Sequence, residues 1–242
     1  SAIDTSRWEE IEQLRYLYLV KQLQALAARV AMLQGEKLSF DEEAKALYDA
    51  EPPTFSETHF KALLGDLGDI LAAPGSVSER YERFKREFII PVAKLDHVFQ
   101  VAITECRRRT KRHIELDDGE SFTVDYVTNK AWSGYNWYKG NSFSLSQVNT
   151  ERTIYIDRAV DLAAHEGYPG HHVYNSLLES RLYRERHWAE FSVYALFSPQ
   201  SLIAEGTANF GIEVAFPGEE RAAFERDVLF PAAGMDPGKT EL

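Results

Sequence analysis

The sequence predicts an α+β fold, mostly helical: an N-terminal helical layer, a small antiparallel or mixed sheet, then a second set of helices. Three observations predict it. Apolar residues recur at helical spacing from residue 6 to about 112, the pattern turns to alternation between 114 and 156, and helical spacing returns after Asp157. The change at His113 divides the chain into a helical region, 1–112, and a region of sheet plus helices, 113–242, expected to pack as one unit.

Residues 6–34 read as one amphipathic helix, with Leu14, Leu17, Tyr18, Leu23, Val30 and Leu33 at helical spacing and Gly35 as its stop. A second helix starts at Ser39 or Asp41 and ends before Pro52-Pro53. A third runs from Ser56 to about Ala72, and Pro74-Gly75 breaks the chain. Ser76 or Ser78 caps a fourth, expected to kink near Pro91 and continue to about Arg112. Asp118-Gly119, between two short extended runs, is a hairpin signal. In SFSLSQVN, residues 142–149, serines alternate with Phe143 and Leu145, which argues for a half-buried strand. With Thr153–Ile156 the segment suggests three or four strands. Asp157 then caps a helix that Pro169-Gly170 interrupts, and Ser198-Pro199 opens another that stops at Pro217-Gly218. A last helix covers about 219–230.

Composition narrows the function classes. One cysteine, Cys106, excludes an intrachain disulfide framework and a cysteine-ligated zinc ribbon. A net charge of −11 disfavours nucleic acid as a partner. Arg107–Arg109, Lys111 and Arg112 are cationic, but acidic Glu115, Asp117 and Asp118 follow at once, so they read as a solvated face. No run approaches the roughly 18 apolar residues of a membrane span. The expected location is cytoplasmic. Because the chain begins at Ser1 and its native start is not visible, export stays open.

The segment His165-Glu166-Gly167-Tyr168-Pro169-Gly170-His171-His172 is the informative one. A hydrolytic zinc site needs about three nitrogen or oxygen ligands, an open position and a carboxylate base. His-Glu-x-x-His on a helix supplies two imidazoles on one face, but here Pro169 stands where the second histidine would be. On a regular helix His171 points away from His165, and His172 shares its face about 10 Å further along. Pro169 cannot donate a bond back to residue 165, and Gly170 accepts unusual conformations. A two-residue bulge therefore brings His171 to the place an i+4 histidine takes.

This motif, with the later Ala204-Glu205-Gly206, resembles a bacterial zincin-like family of unknown function, treated as metallohydrolases, and more widely the gluzincin metallopeptidases. The resemblance covers about residues 120–215. It implies His165, His171 and Glu205 as ligands of one zinc ion, with other first-row divalent metals admissible, and Glu166 as the catalytic base. His172 is the alternative ligand. It also implies that the strand at Gln147-Val148-Asn149 is an edge strand that pairs with an extended substrate, which makes Gln147 and Asn149 substrate-binding candidates. Tyr168, inside the motif, is a candidate donor to a developing oxyanion. Asp161, one turn before His165, is a candidate orienter of that ring. The family carries further helices after the Glu-Gly helix, so the chain reads as a fragment or a shortened relative. The expected function is hydrolysis of amide bonds in peptides or peptide-like small substrates. A non-catalytic metal- or ligand-binding helical module is the alternative, and oligomeric state is left open.

Overall fold

The structure, a computed structural model, describes residues 3–241. It is mostly helical with one small three-stranded mixed sheet, the α+β class that the spacing predicts. No described helix is long and apolar enough to cross a membrane. By contacts the chain divides into two compact units, Ser1–Thr54 with Arg181–Gly206, and Phe55–Ser180 with Thr207–Leu242.

In the first unit, α1 spans Glu10–Leu33 and α2 spans Phe40–Tyr48. The start of α2 follows from its sequence: Ser39 Oγ accepts from the Glu42 amide while the Glu42 carboxylate accepts from the Ser39 amide, a reciprocal cap. Few α1 side chains are buried, and Leu14, Leu17, Leu23, Val30 and Leu33 are each more than half exposed.

In the second unit, α3 (Glu57–Ile70) is capped by Ser56 and α4 (Val77–Lys85) by Ser76 with Glu79. The expected kinked helix through Pro91 is not formed. After α4 the chain makes one tight turn, Arg86–Phe88, and then extends. Ile89 bridges Tyr155, and the Ile90 amide donates to the Ile154 carbonyl. Pro91 lacks an amide hydrogen and pushes the residue before it towards extended backbone, and two β-branched isoleucines accept that state. A new helix, α5, then runs Leu95–Thr110 and buries Val98, Phe99, Ala102, Ile103 and Cys106.

The sheet consists of β1 (Ser121–Val127), β2 (Gly134–Gly140) and β3 (Phe143–Asn149), in the order β1-β3-β2. The turn at Asp117–Glu120 forms, but it does not close the expected hairpin, because residues 114–116 pair with no strand and β1 lies parallel to β3. The hairpin in this sheet is β2–β3, turned at Asn141 and Ser142, both with positive φ. Residues 153–156 add only an isolated bridge. The strand expected at an edge, β3, is therefore the central one, and both of its sides are paired. Its buried face is the serine face: Ser144 and Ser146 are buried while Phe143 and Leu145 are half-buried.

Behind the sheet, α6 (Asp157–Leu162) passes into a π-helical turn, Ala163–Gly167, and α7 (His171–Leu177) follows. A second π-helical stretch covers Leu178–Glu185. Helix α8 spans Pro199–Ala215, capped by Ser198, whose hydroxyl accepts from the Ser201 amide. The expected last helix is broken into α9 (Glu220–Phe224), a π-helical turn and α10 (Phe230–Ala233). The core of the second unit gathers α5, α6, Val148 of β3, Tyr168 and Phe216–Ala233.

Candidate metal centre

The bend between α6 and α7 has a backbone explanation. The Tyr168 amide donates to the Ala163 carbonyl and the Gly170 amide to Ala164, so the turn is wider than an α-helical one. Position 170 admits only glycine, since a Cβ there would overlap the carbonyl oxygens of His165 and Ala164. Widening the helix in this way moves His171 round and back along the axis. The His165 and His171 rings come to 4.6 Å between centroids, edge to face.

Helix α8 reaches the bend at Gly211, where a Cβ would stand 3.0 Å from the Pro169 ring. Asn209, on the same helix, accepts at Oδ1 from the His165 ring at 3.1 Å. Glu205 lies four residues earlier, on the same face of α8. One ligand atom each from His165, His171 and Glu205 lies within 4.8 Å of the others. Ligand atoms around a single tetrahedral zinc stand about 3.4 Å apart. Two imidazoles and a carboxylate are a donor set of the chemistry that zinc takes.

The bond to Asn209 also fixes chemistry. An amide oxygen accepts only, so Nδ1 of His165 carries the proton and Nε2 presents its lone pair. Asp161, the candidate orienter, is instead paired with Arg221 and Arg158. Asn209 escaped sequence reading; its one signal was its place one helical turn after Glu205.

Glu166 is buried, at 6% exposure. Its main-chain oxygen accepts from the side-chain Nδ2 of Asn136 on β2. Its carboxylate would lie 3.5 Å from a Cβ at Gly134, so it faces the start of β2. The other substrate candidates lie elsewhere. The Asn149 side chain is buried and donates to the Lys130 and Trp132 carbonyls, clamping the loop before β2. Gln147 lies on the outer face of the sheet between Trp137 and Asp125. Tyr168 points into the core, its hydroxyl donating to Glu120 at 2.6 Å.

His172 is fully buried and faces away from His165 and His171. Its Nε2 lies 3.0 Å from Glu120 and its Nδ1 2.8 Å from Ser144 Oγ. Burial pushes its pKa below the ordinary 6.5, although Glu120 opposes that. The neutral ring thus donates from Nε2 to the carboxylate and accepts at Nδ1 from the serine, which leaves no lone pair for a metal. Arg107 completes the set of partners around Glu120. Burial would raise the Glu120 pKa, but hydrogen bonds from Tyr168, His172 and Arg107 hold it below 4.5. In the basic run, Arg108 and Arg109 pair with Glu105, and Arg109 also donates to the Ala215 carbonyl. Cys106 is a core thiol, its pKa pushed by burial up to about 12.

Comparison of the sequence with models of protein families finds no match, and comparison with curated proteins finds none either. Among solved structures the chain is similar to a putative lipoprotein from Colwellia psychrerythraea, at 16% identity and a TM-score of 0.54 over 83% of this chain. The chain spans 40% of the length of that neighbour, and the likeness is one of fold.

Proposed function

We propose that this protein is a zinc-dependent hydrolase of amide bonds in peptides or peptide-like small molecules. The observation that carries the reading is the convergence of His165, His171 and Glu205 beside a buried glutamate one residue after the first ligand. These three side chains would hold the ion, and zinc supplies Lewis-acid polarisation and acidifies water. Glu166 takes the proton of the attacking water and returns it to the departing amine. Asn209 holds the His165 ring in the ligating tautomer.

Because β3 is paired on both sides, a substrate strand adds to β2, the edge strand whose first residue lies against Glu166. The test is Glu166→Gln assayed on a mixed peptide library with metal content measured in parallel. The variant should keep one zinc per chain and lose turnover by about 10²- to 10⁴-fold. Undiminished turnover would remove the mechanism, and zinc binding without cleavage by the unaltered protein would leave a binding module.

A further inference from the structure

We infer that Glu120, some forty-five residues before the motif, is a positioning residue of the metal centre, acting through the two side chains that flank the bend. The inference rests on the metal-centre reading above. Tyr168 precedes Pro169 and His172 follows His171, so the pair brackets the three residues that redirect the chain. Both donate to the same oxygen of Glu120, Oε2. The two shoulders of the bend are thereby tied to one point, with their rings 5.0 Å apart and each packed edge-on against Phe122. Ser144 of β3 holds the other nitrogen of His172, and Arg107 holds the other oxygen of Glu120.

Successive residues of a helix point about 100° apart. Fixing His172 inward on Glu120 therefore fixes the direction in which His171 leaves the helix, towards His165. The carboxylate is buried, at 8% exposure for the residue, and three donors converge on it. An apolar or neutral group would hold the fold there only by forgoing these bonds, whereas a carboxylate accepts all of them at once.

The experiment titrates Co²⁺ into the full chain and into Glu120→Gln and Tyr168→Phe, following the visible absorption bands, with circular dichroism as the check on folding. Tyr168→Phe removes one hydroxyl and keeps the ring, so it remains informative where the buried amide prevents folding. Folded Glu120→Gln should bind Co²⁺ about 10- to 100-fold more weakly, as loss of outer orienting groups does at such sites. Tyr168→Phe should show a smaller loss, and both should shift the bands, a change that loss of global stability alone does not produce. Folded variants with the affinity and spectrum of the unaltered chain would overturn the positioning role and leave the metal centre standing. An unaltered chain that binds neither Co²⁺ nor Zn²⁺ would instead remove the metal centre, and this inference with it.

Discussion

Gly170 shows how much a single missing methyl decides. Its amide closes the turn on Ala164, and its bare Cα lets the chain pass over the His165 carbonyl. Gly170→Ala should cost about 3 kcal/mol or more, the upper part of the range for overpacking, because backbone rather than a flexible side chain must move. A denaturant melt measures that cost. Any folded fraction should lose metal, since the shift separates the two imidazoles; unchanged zinc stoichiometry would contradict the account of the bend. The proline and glycine were legible in the sequence as the cause of this bend, whereas the grouping of His165, His171 and Glu205 was implied only by the resemblance of the motif. Asn209 and Glu120 were not legible. A residue that acts by accepting one hydrogen bond leaves no periodicity or spacing, and Glu120 reads as one more charge in the acidic stretch 115–120.

At the scale of elements, helix starts marked by a serine were the most legible feature, whereas α6 begins after Ile156 with no side-chain cap, not at a cap supplied by Asp157. Ser39, Ser56, Ser76 and Ser198 all cap helices, because a cap is a local interaction between neighbours in the chain. Strand partners depend on distant residues, and there local reading failed. An Asp-Gly turn suggested a hairpin, yet β1 found its partner more than twenty residues on. Alternation in β3 identified a strand but not which face is buried. Ser144 turns inward because His172 offers it a nitrogen, and a buried hydroxyl so satisfied costs little. The start of β2 then becomes the place to probe the site from the sheet. A Cβ at Gly134 would stand 2.9 Å from Leu162 and close to Glu166. Gly134→Val should therefore leave zinc binding intact and lower kcat by about 10²-fold, the cost of displacing a catalytic group by roughly 1 Å. Parallel assays of metal content and turnover separate the two, and equal loss of both would place Gly134 in the fold rather than the site.

Across the whole molecule, acid sensitivity follows from where the carboxylates sit. The Arg108 and Arg109 guanidiniums hold Glu105 below its ordinary value of 4.5, and Arg15 does the same for Glu190. Glu120 joins them despite its burial. Each binds fewer protons folded than unfolded, so its stabilisation is complete above about pH 4.5 and is lost as pH falls through the folded values. Glu225 works in the other direction. Burial raises its pKa, so its contribution is full at low pH and lost as pH rises through its folded value. His172 adds to the loss, because burial holds its pKa below 6.5 and the unfolded ring takes up a proton that the folded one refuses. With the lowered carboxylates outnumbering Glu225, the urea midpoint should decline gently as pH falls below about 6.5 and more steeply below 4.5. A midpoint that rose on acidification would mean that Glu225 dominates.

The wide turn that joins α6 to α7 is held by peptide groups and by aromatic rings set in the core, with its two imidazoles already turned towards each other. Little conformational entropy is left for an incoming ion to remove. At the proposed metal centre, binding free energy would therefore appear as affinity rather than as chain ordering, and chelation should abolish the proposed turnover without unravelling the chain.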